Sequence, residues 1–462
     1  MSAVTRERHY PRQGVARPPG GKLAGLSLPR QIAVIAFWPF LEQPELLRHL
    51  LRPLHCTKIG LNAQDTINIS DGMGPPSSSW VRLRHPGAIM MGATAIVSRM
   101  TGARITPGAA RPHQAAMLGR WPASSPAGRR IWLPVTHVLT MNETARAYAL
   151  QYVYMAAFAA PFSGVVFAIN AALRGSGDTR LPFWIMMSVG ILNVIFSVIF
   201  VFADAPLGGW RIGGIAAGTV CGYGISMCIL LFIMLRRRKK IFTGRKNESL
   251  EELVRERGEH YAPPLYLSFS HLRPDMGMQK RILKIGLPQA VEVFGMWGIQ
   301  MFCLSIISEL PIKGVLGVHN IAVRIESLSF LPGFAIGMAA STLVGQYLGA
   351  RNALMARITI WKCMRYAVIF MTGLGVLFSA FPALFMEIFS NGSTTLIDTG
   401  IPVLRTMLVV EPFFAACIVM KMSLRGAGDT RRVMLISYGI MGFFRVVCTW
   451  VWFRLAPETM TL

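Results

Sequence analysis

Acidic side chains are scarce in this chain: 22 Asp and Glu stand against 47 Lys and Arg, a net charge of +25. Charge of both signs is thin, at 15% of 462 residues, while 53% of residues are hydrophobic and mean hydropathy is +0.45. A disordered chain lacks so many large apolar residues. A nucleic-acid partner would account for the charge but not for the hydropathy, so none is expected. Paired cysteines are missing too. Cys56, Cys221, Cys228, Cys303, Cys363, Cys417 and Cys448 form no CxxC pair, and six lie in or beside apolar stretches. They read as small buried residues rather than metal or redox groups. HExxH, Walker A and GxSxG motifs are absent, which leaves no cofactor, metal site or catalytic residue to assign. The first thirty residues are basic and rich in Pro and Gly, without an apolar run of signal-peptide length, so no cleaved export signal is expected.

What the chain has instead is apolar runs of membrane-spanning length, about 20 residues. Eight are expected to span: Ala147–Ala172, Leu181–Ala203, Gly213–Leu235, Ile285–Ile307, Val315–Leu343, Tyr366–Ile388, Val403–Met422 and Val433–Trp452. Each is apolar round the whole helix, which suits lipid or a bundle interior rather than an amphipathic surface. The basic cluster Arg236-Arg237-Arg238-Lys239-Lys240 follows one span directly and fixes that end inside. Counting outward, Arg174/Arg180, Arg351/Arg357 and Arg425/Arg431/Arg432 also fall inside. The opposite loops, Asp204–Arg211, Glu309–Lys313 and Ser390–Asp398, carry almost no surplus charge.

The sequence repeats at an offset of 251. Ala160-Pro161-Phe162 leads to Leu173-Arg174-Gly175-Ser176-Gly177-Asp178-Thr179-Arg180. Glu411-Pro412-Phe413 leads, at the same spacing, to Leu424-Arg425-Gly426-Ala427-Gly428-Asp429-Thr430-Arg431. Leu28-Pro29 pairs with Leu287-Pro288, and Gly102-Ala103-Arg104 with Gly349-Ala350-Arg351, after small gaps. Two halves that each start and end inside make a parallel repeat. Pro161 and Pro412 are expected mid-span, as packing kinks or gating bends. In the two turns, Gly175, Gly177, Gly426 and Gly428 permit the reversal and Asp178 and Asp429 suit helix caps. Arg174 and Arg425 are expected at the phosphate level. Gly214, Gly218 and Gly222 stand four apart, as close helix packing requires.

Carboxylates within spans are costly and are functional candidates by default. Glu292 has only Ala290, Val291, Val293 and Phe294 beside it and no local partner. Glu326 follows His319 and Arg324, so an ion pair and a coupling site are both open. Glu411 precedes Pro412 and its repeat counterpart is Ala160, which assigns the ionic chemistry to the second half. Glu42 ends an apolar half span. His319 reads as a packing or interfacial residue.

The two LRGxGDT turns, the paired Pro-Phe spans and the run HNIAVRIESLSFLPGFAIGMAASTLVGQYLGAR resemble the multidrug and toxic compound extrusion (MATE) family, as do SLPRQIAVIAFWPFLEQ and GATAIVSRMTGAR in the first half. The resemblance implies an all-α polytopic membrane protein of two pseudo-symmetric bundles, twelve-span in type, with about eight spans intact here. It implies a secondary active transporter rather than an enzyme. Such a protein exports small organic, often cationic, compounds in exchange for Na+ or H+. Its setting would be lipid, in the cell inner membrane with the N-terminus cytoplasmic, and no obligate protein partner is evident. Membrane acids in the first and seventh spans commonly carry coupling in the family. Glu42 matches loosely and Glu292 well, with Glu411 nearest to a tenth-span acid. A lipid-linked or polysaccharide flippase shares the architecture. Its mark would be a strongly basic cavity, for which Arg324, Arg365 and Arg445, in or beside the spans, are the candidates.

The expected divisions are a basic segment 1–27, an N-terminal bundle 28–235, a cytoplasmic linker 236–284 and a C-terminal bundle 285–462 lacking its last span. Residues 44–86 and 106–139 break the first bundle. They keep roughly the family spacing but hold no usable apolar run, which is the product expected of compensating frameshifts or of a soluble insertion. Residues 1–140 hold 17 Lys and Arg against 5 Asp and Glu, a surplus of 12 where membrane helices ought to be. A non-transporting remnant is therefore the alternative to a working exporter.

Overall fold

The computed structural model describes residues 26–41, 93–101, 103, 155, 158–202, 211–241, 265, 276–308, 315–390 and 394–455. All regular structure among them is helical: α1 (Leu28–Leu41), α2 (93–101), α3 (Ala160–Gly175), α4 (Arg180–Phe202), α5 (Arg211–Ile241), α6 (Met276–Ser308), α7 (Val315–Gly349), α8 (Ala353–Ala380), α9 (Pro382–Ser390), α10 (Thr394–Gly426), α11 (Thr430–Ile436) and α12 (Arg445–Leu455). The last two join through a π-helical segment, Ser437–Phe444, into one rod. Lipid offers backbone N–H and C=O groups no partner, so apolar runs of this length satisfy them internally as helices.

Seven stretches among the described residues are long and apolar enough to span: Arg180–Phe202, Gly213–Arg237, Gln279–Ile307, Gly317–Gly349, Ala353–Ala380, Leu396–Gly426 and Thr430–Val451. Of Ala147–Ala172, Met155 is helical, Phe158 and Ala159 form a turn, and α3 begins at Ala160. Pro161 sits in the first turn of α3, directly after that break, where a missing N–H costs nothing. One expectation changes. Tyr366–Ile388 is two helices. Asn352 caps α8 early by accepting the Met355 N–H at 3.0 Å. The helix then stops at Phe381, because Pro382 disfavours helical backbone in the residue before it. Glu42 and the stretches 44–86 and 106–139 lie outside the described residues.

The helices form two apolar cores. The first joins α2, α3, α4 and α5, with Leu265 and Ile282 buried against it. The second joins α1, α7, α8 and α10, and a smaller cluster under α9 extends it. α7 is the centre of the second: 72% of its spanning window is buried, against 17–33% for the others. The outer faces keep Trp184, Phe232, Ile369, Val409 and Phe413 exposed, a surface suited to hydrocarbon rather than water. α1 belongs to the first half by sequence, yet Leu28, Ile32 and Ile35 bury themselves on the second core.

The glycine stripe behaves as expected. A Cβ on Gly218 would meet Ser197 N at 2.7 Å, and one on Gly214 would meet Phe200 O at 2.9 Å, so α4 and α5 touch backbone to backbone.

The repeat is carried into three dimensions. In both turns a left-handed glycine ends the helix, Gly177 at φ 87° and Gly428 at φ 79°. Asp178 N bonds Leu173 O at 2.9 Å and Asp429 N bonds Leu424 O at 3.0 Å, the same Schellman closure twice. A third copy ends α7 with Arg351 at φ 59° in the glycine position. Thr179 Oγ1 donates to Val34 O at 3.4 Å, and Thr430 Oγ1 donates to Ile285 O at 2.7 Å. Val34 and Ile285, the two acceptors, stand at the same offset of 251.

Candidate functional site

Glu292 lies midway along α6 and is 1% exposed, but it is not alone. Lys421 Nζ approaches Oε1 at 2.8 Å, and Arg425 Nη2 reaches Oε1 at 3.1 Å and Oε2 at 3.0 Å. Ser437 Oγ donates to Oε1 at 2.7 Å. Lys421 and Arg425 stand one helical turn apart on α10, so they share a face. The Gly426–Asp429 turn then reverses the chain. The Asp429 side chain caps α11 by accepting the Arg432 N–H at 3.3 Å. Thr430 ties α11 to α6, and the π segment opens at Ser437, beside Glu292. The next residue, Tyr438, donates its hydroxyl to Val291 O, and its ring fills the space in which a Cβ on Gly295 would stand. A π-helical turn widens the backbone and is rare outside functional segments.

Glu292 has no partner among its neighbours along the chain; its partners come from 129 to 145 residues away. The Arg425 side chain is 11% exposed and turned toward Glu292, with Nε buried and unpartnered. The Asp178 carboxylate, expected as a cap, pairs with Arg237 at 2.9 Å, which ties the end of α5 to the first turn. Arg174 is buried in that turn.

Glu411 forms a second, separate site on α10. It is 2% exposed. Ser329 of α7 donates to Oε1, while Oε2 is buried without a hydrogen-bond partner. Pro412, inside α10, supplies no N–H for the Leu408 carbonyl. Gly375 of α8 makes room there, since its Cβ would stand 3.0 Å from Glu411 Cγ. Glu326, one turn before Ser329, is within electrostatic reach of Glu411. Arg445 of α12 lies within electrostatic reach of both Glu326 and His319.

The first half lacks the counterparts. At the offset of 251, Lys421 becomes Asn170, whose buried amide has no partner, and Glu411 becomes Ala160. Its polar contact between α4 and α5 is neutral: Asn193 Nδ2 donates to Thr219 Oγ1 at 2.7 Å. The described residues hold no cluster of three or more His, Cys, Asp or Glu able to take a metal ion.

Long lipid-facing helices around buried ionic clusters define an integral, multi-pass α-helical membrane protein. The MatE family model matches residues 85–199 and 288–451, more than half of the chain, and the chain belongs to that family. It is similar to a probable multidrug resistance protein NorM of Thermotoga maritima, 27% identical over 275 residues, covering 59% of this chain and 53% of the relative. A probable NorM of Pseudomonas putida is 23% identical over 418 residues, covering 88% and 82%. The chain spans about half the length of the first of these. Its fold is shared with a MOP superfamily transporter from Pyrococcus furiosus, at TM-score 0.76, 16% identity and coverage of 94% and 90%. It is shared also with a Vibrio cholerae MATE transporter in its bent form, at TM-score 0.72, 17% identity and coverage of 93% and 91%.

Proposed function

We propose that the chain is a secondary active efflux transporter of the cell inner membrane, exchanging small organic, often cationic, compounds for Na+ or H+ by alternating access. Glu411 is the coupling carboxylate. The observation that carries this is its free Oε2: a buried acid with one hydroxyl partner, no fixed cation on it and a proline break beside it. Such an oxygen has reason to take up a proton or Na+ when the site opens to it. Neutralising it removes the charge that would hold a cationic compound, so cation entry and compound release alternate. Glu292 has another role. Lys421 and Arg425 already neutralise it, so it clamps α6, α10 and the π segment together. The turn arginines, on the same side as Arg236–Lys240, support a cytoplasmic position for that end and for the N-terminus.

Dye accumulation in cells expressing the chain tests the reading. Export driven by a Na+ or H+ gradient is expected, and Glu411→Gln abolishes it. Undiminished export by Glu411→Gln, with the variant present in the membrane, overturns the assignment.

The second reading, a non-transporting remnant, is favoured by the composition of 44–86 and 106–139. It predicts membrane insertion without export. Translating the coding DNA of both stretches in the other frames checks its cause, because long apolar readings there mark frameshifted helices. A lipid flippase is less well supported: the two inward-facing cations of α10, Lys421 and Arg425, are both engaged by Glu292.

A further inference from the structure

We infer that Arg99 and Gln346 are a matched pair of positioning residues: a latch that closes the two halves against each other beside the Gly175–Arg180 and Gly426–Arg431 turns, and that releases in each transport cycle. The inference rests on the transporter reading above.

The latch follows from a crossing of two repeated helices. At the offset of 247 set by Gly102-Ala103-Arg104 and Gly349-Ala350-Arg351, the end of α2 repeats as the end of α7. Thr94 then matches Ser341, Ser98 matches Gly345 and Arg99 matches Gln346. α2 and α7 cross at the matched pair Ser98 and Gly345, where a Cβ on Gly345 would meet Ser98 Oγ and lie 2.8 Å from Ser98 Cβ. A side chain added there would drive the halves apart.

From that crossing, each matched side chain reaches the turn of the opposite half. Gln346 Nε2 donates to Gly175 O, at the C-terminus of α3, at 3.0 Å. Arg99 Nη2 donates to Ala427 O, just past the C-terminus of α10, and its guanidinium lies over Gly428. Both acceptors are carbonyls left over at a helix end, where a donor is welcome and a cation more so. Each turn glycine meanwhile seats on its own half's helix. A Cβ on Gly175 would stand 3.0 Å from Thr94 O, and one on Gly426 would collide with Ser341 O. The four pieces interlock about a pseudo-two-fold axis.

The contact is built to part. Arg99 and Gln346 each give one hydrogen bond to the opposite half here, beside a third from the Tyr347 hydroxyl to Gln31 Oε1 at 2.7 Å, and Gln346 Oε1 is left buried without a partner. An unsatisfied buried acceptor disfavours the closed state, and opening relieves it.

The test uses the full chain in nanodiscs with Ser98→Cys as the only cysteine, because Ser98 is fully buried at the crossing. Its rate of labelling by N-ethylmaleimide reads the open fraction. Arg99→Ala and Gln346→Ala are each expected to raise that rate roughly fivefold, and together multiplicatively, as loss of one net hydrogen bond apiece predicts. A parallel set carrying only Cys363, fully buried in the second core, should stay slow throughout and report folding. Ethidium or a change of Na+ or pH should shift the Ser98→Cys rate in the parent and much less in the double variant; a static packing contact would respond to none of these. The latch is overturned if labelling is unchanged in both single variants while Cys363 stays protected. Arg99 is exposed, so its alanine variant folds and keeps the test decisive. A chain that exports nothing yet gives the labelling pattern defeats the transporter reading and leaves the latch standing.

Discussion

Glu292 and Arg425 are 133 residues apart in the chain and meet through hydrogen bonds of 3.1 and 3.0 Å to the two carboxylate oxygens. The pair fastens the middle of α6 to the end of α10. Lys421, 23% exposed, adds a second cation to the same carboxylate, and Ser437 adds a hydroxyl from the following helix.

Breaking that pair costs differently from its two sides. Glu292→Ala leaves two cations facing each other and is expected to lose about 3–5 kcal/mol of stability. Arg425→Ala leaves the acid with Lys421 and Ser437 and should lose less. The double variant should lose much less than the sum, because the stranded charge is removed with its partner. Unfolding in detergent, read as a double-mutant cycle, checks this.

Gly218→Ala should destabilise the α4/α5 contact by about 1–3 kcal/mol, since the added methyl meets backbone rather than a movable side chain. Gly224→Ala, in the same helix, has nothing within 4 Å of its Cβ and should be neutral or slightly stabilising. Thermal melting of the two variants side by side separates packing from helix propensity.

Gly428→Ala forces a side chain into left-handed backbone at φ 79° and should cost about 1–2 kcal/mol. Export, if the turn is only structural, should fall no further than the folded fraction does. Folded protein and transport measured on one preparation decide it.

The spans were legible because lipid leaves an apolar run one way to satisfy its backbone. The two turns were legible because their glycines and aspartates recur at one spacing, and left-handed backbone needs glycine. The ionic chemistry was only half legible. Glu292 looked isolated because its partners lie on α10 and the π segment, which only the folded chain brings to α6. The inward turn of Arg425 was hidden, since the same motif holds Arg174, which is buried in its own turn. The π segment left no mark, because Ser437–Phe444 reads as an ordinary apolar helix. The two prolines of the repeat differ in place: Pro412 is inside a helix, and Pro161 stands at the start of one, after a turn. The carbonyls taken by Arg99 and Gln346 could not be read from side-chain types at all.

The central claim separates two buried acids, Glu411 for coupling and Glu292 for the clamp. The most direct test is dye efflux from proteoliposomes under an imposed Na+ or H+ gradient, with the folded fraction of each variant measured alongside. The account predicts that Glu411→Gln loses gradient-driven efflux while remaining as stable as the parent, and that Glu292→Gln loses stability while its folded fraction still responds to the gradient. Gradient-driven efflux retained by Glu411→Gln, or lost by stably folded Glu292→Gln, would contradict it.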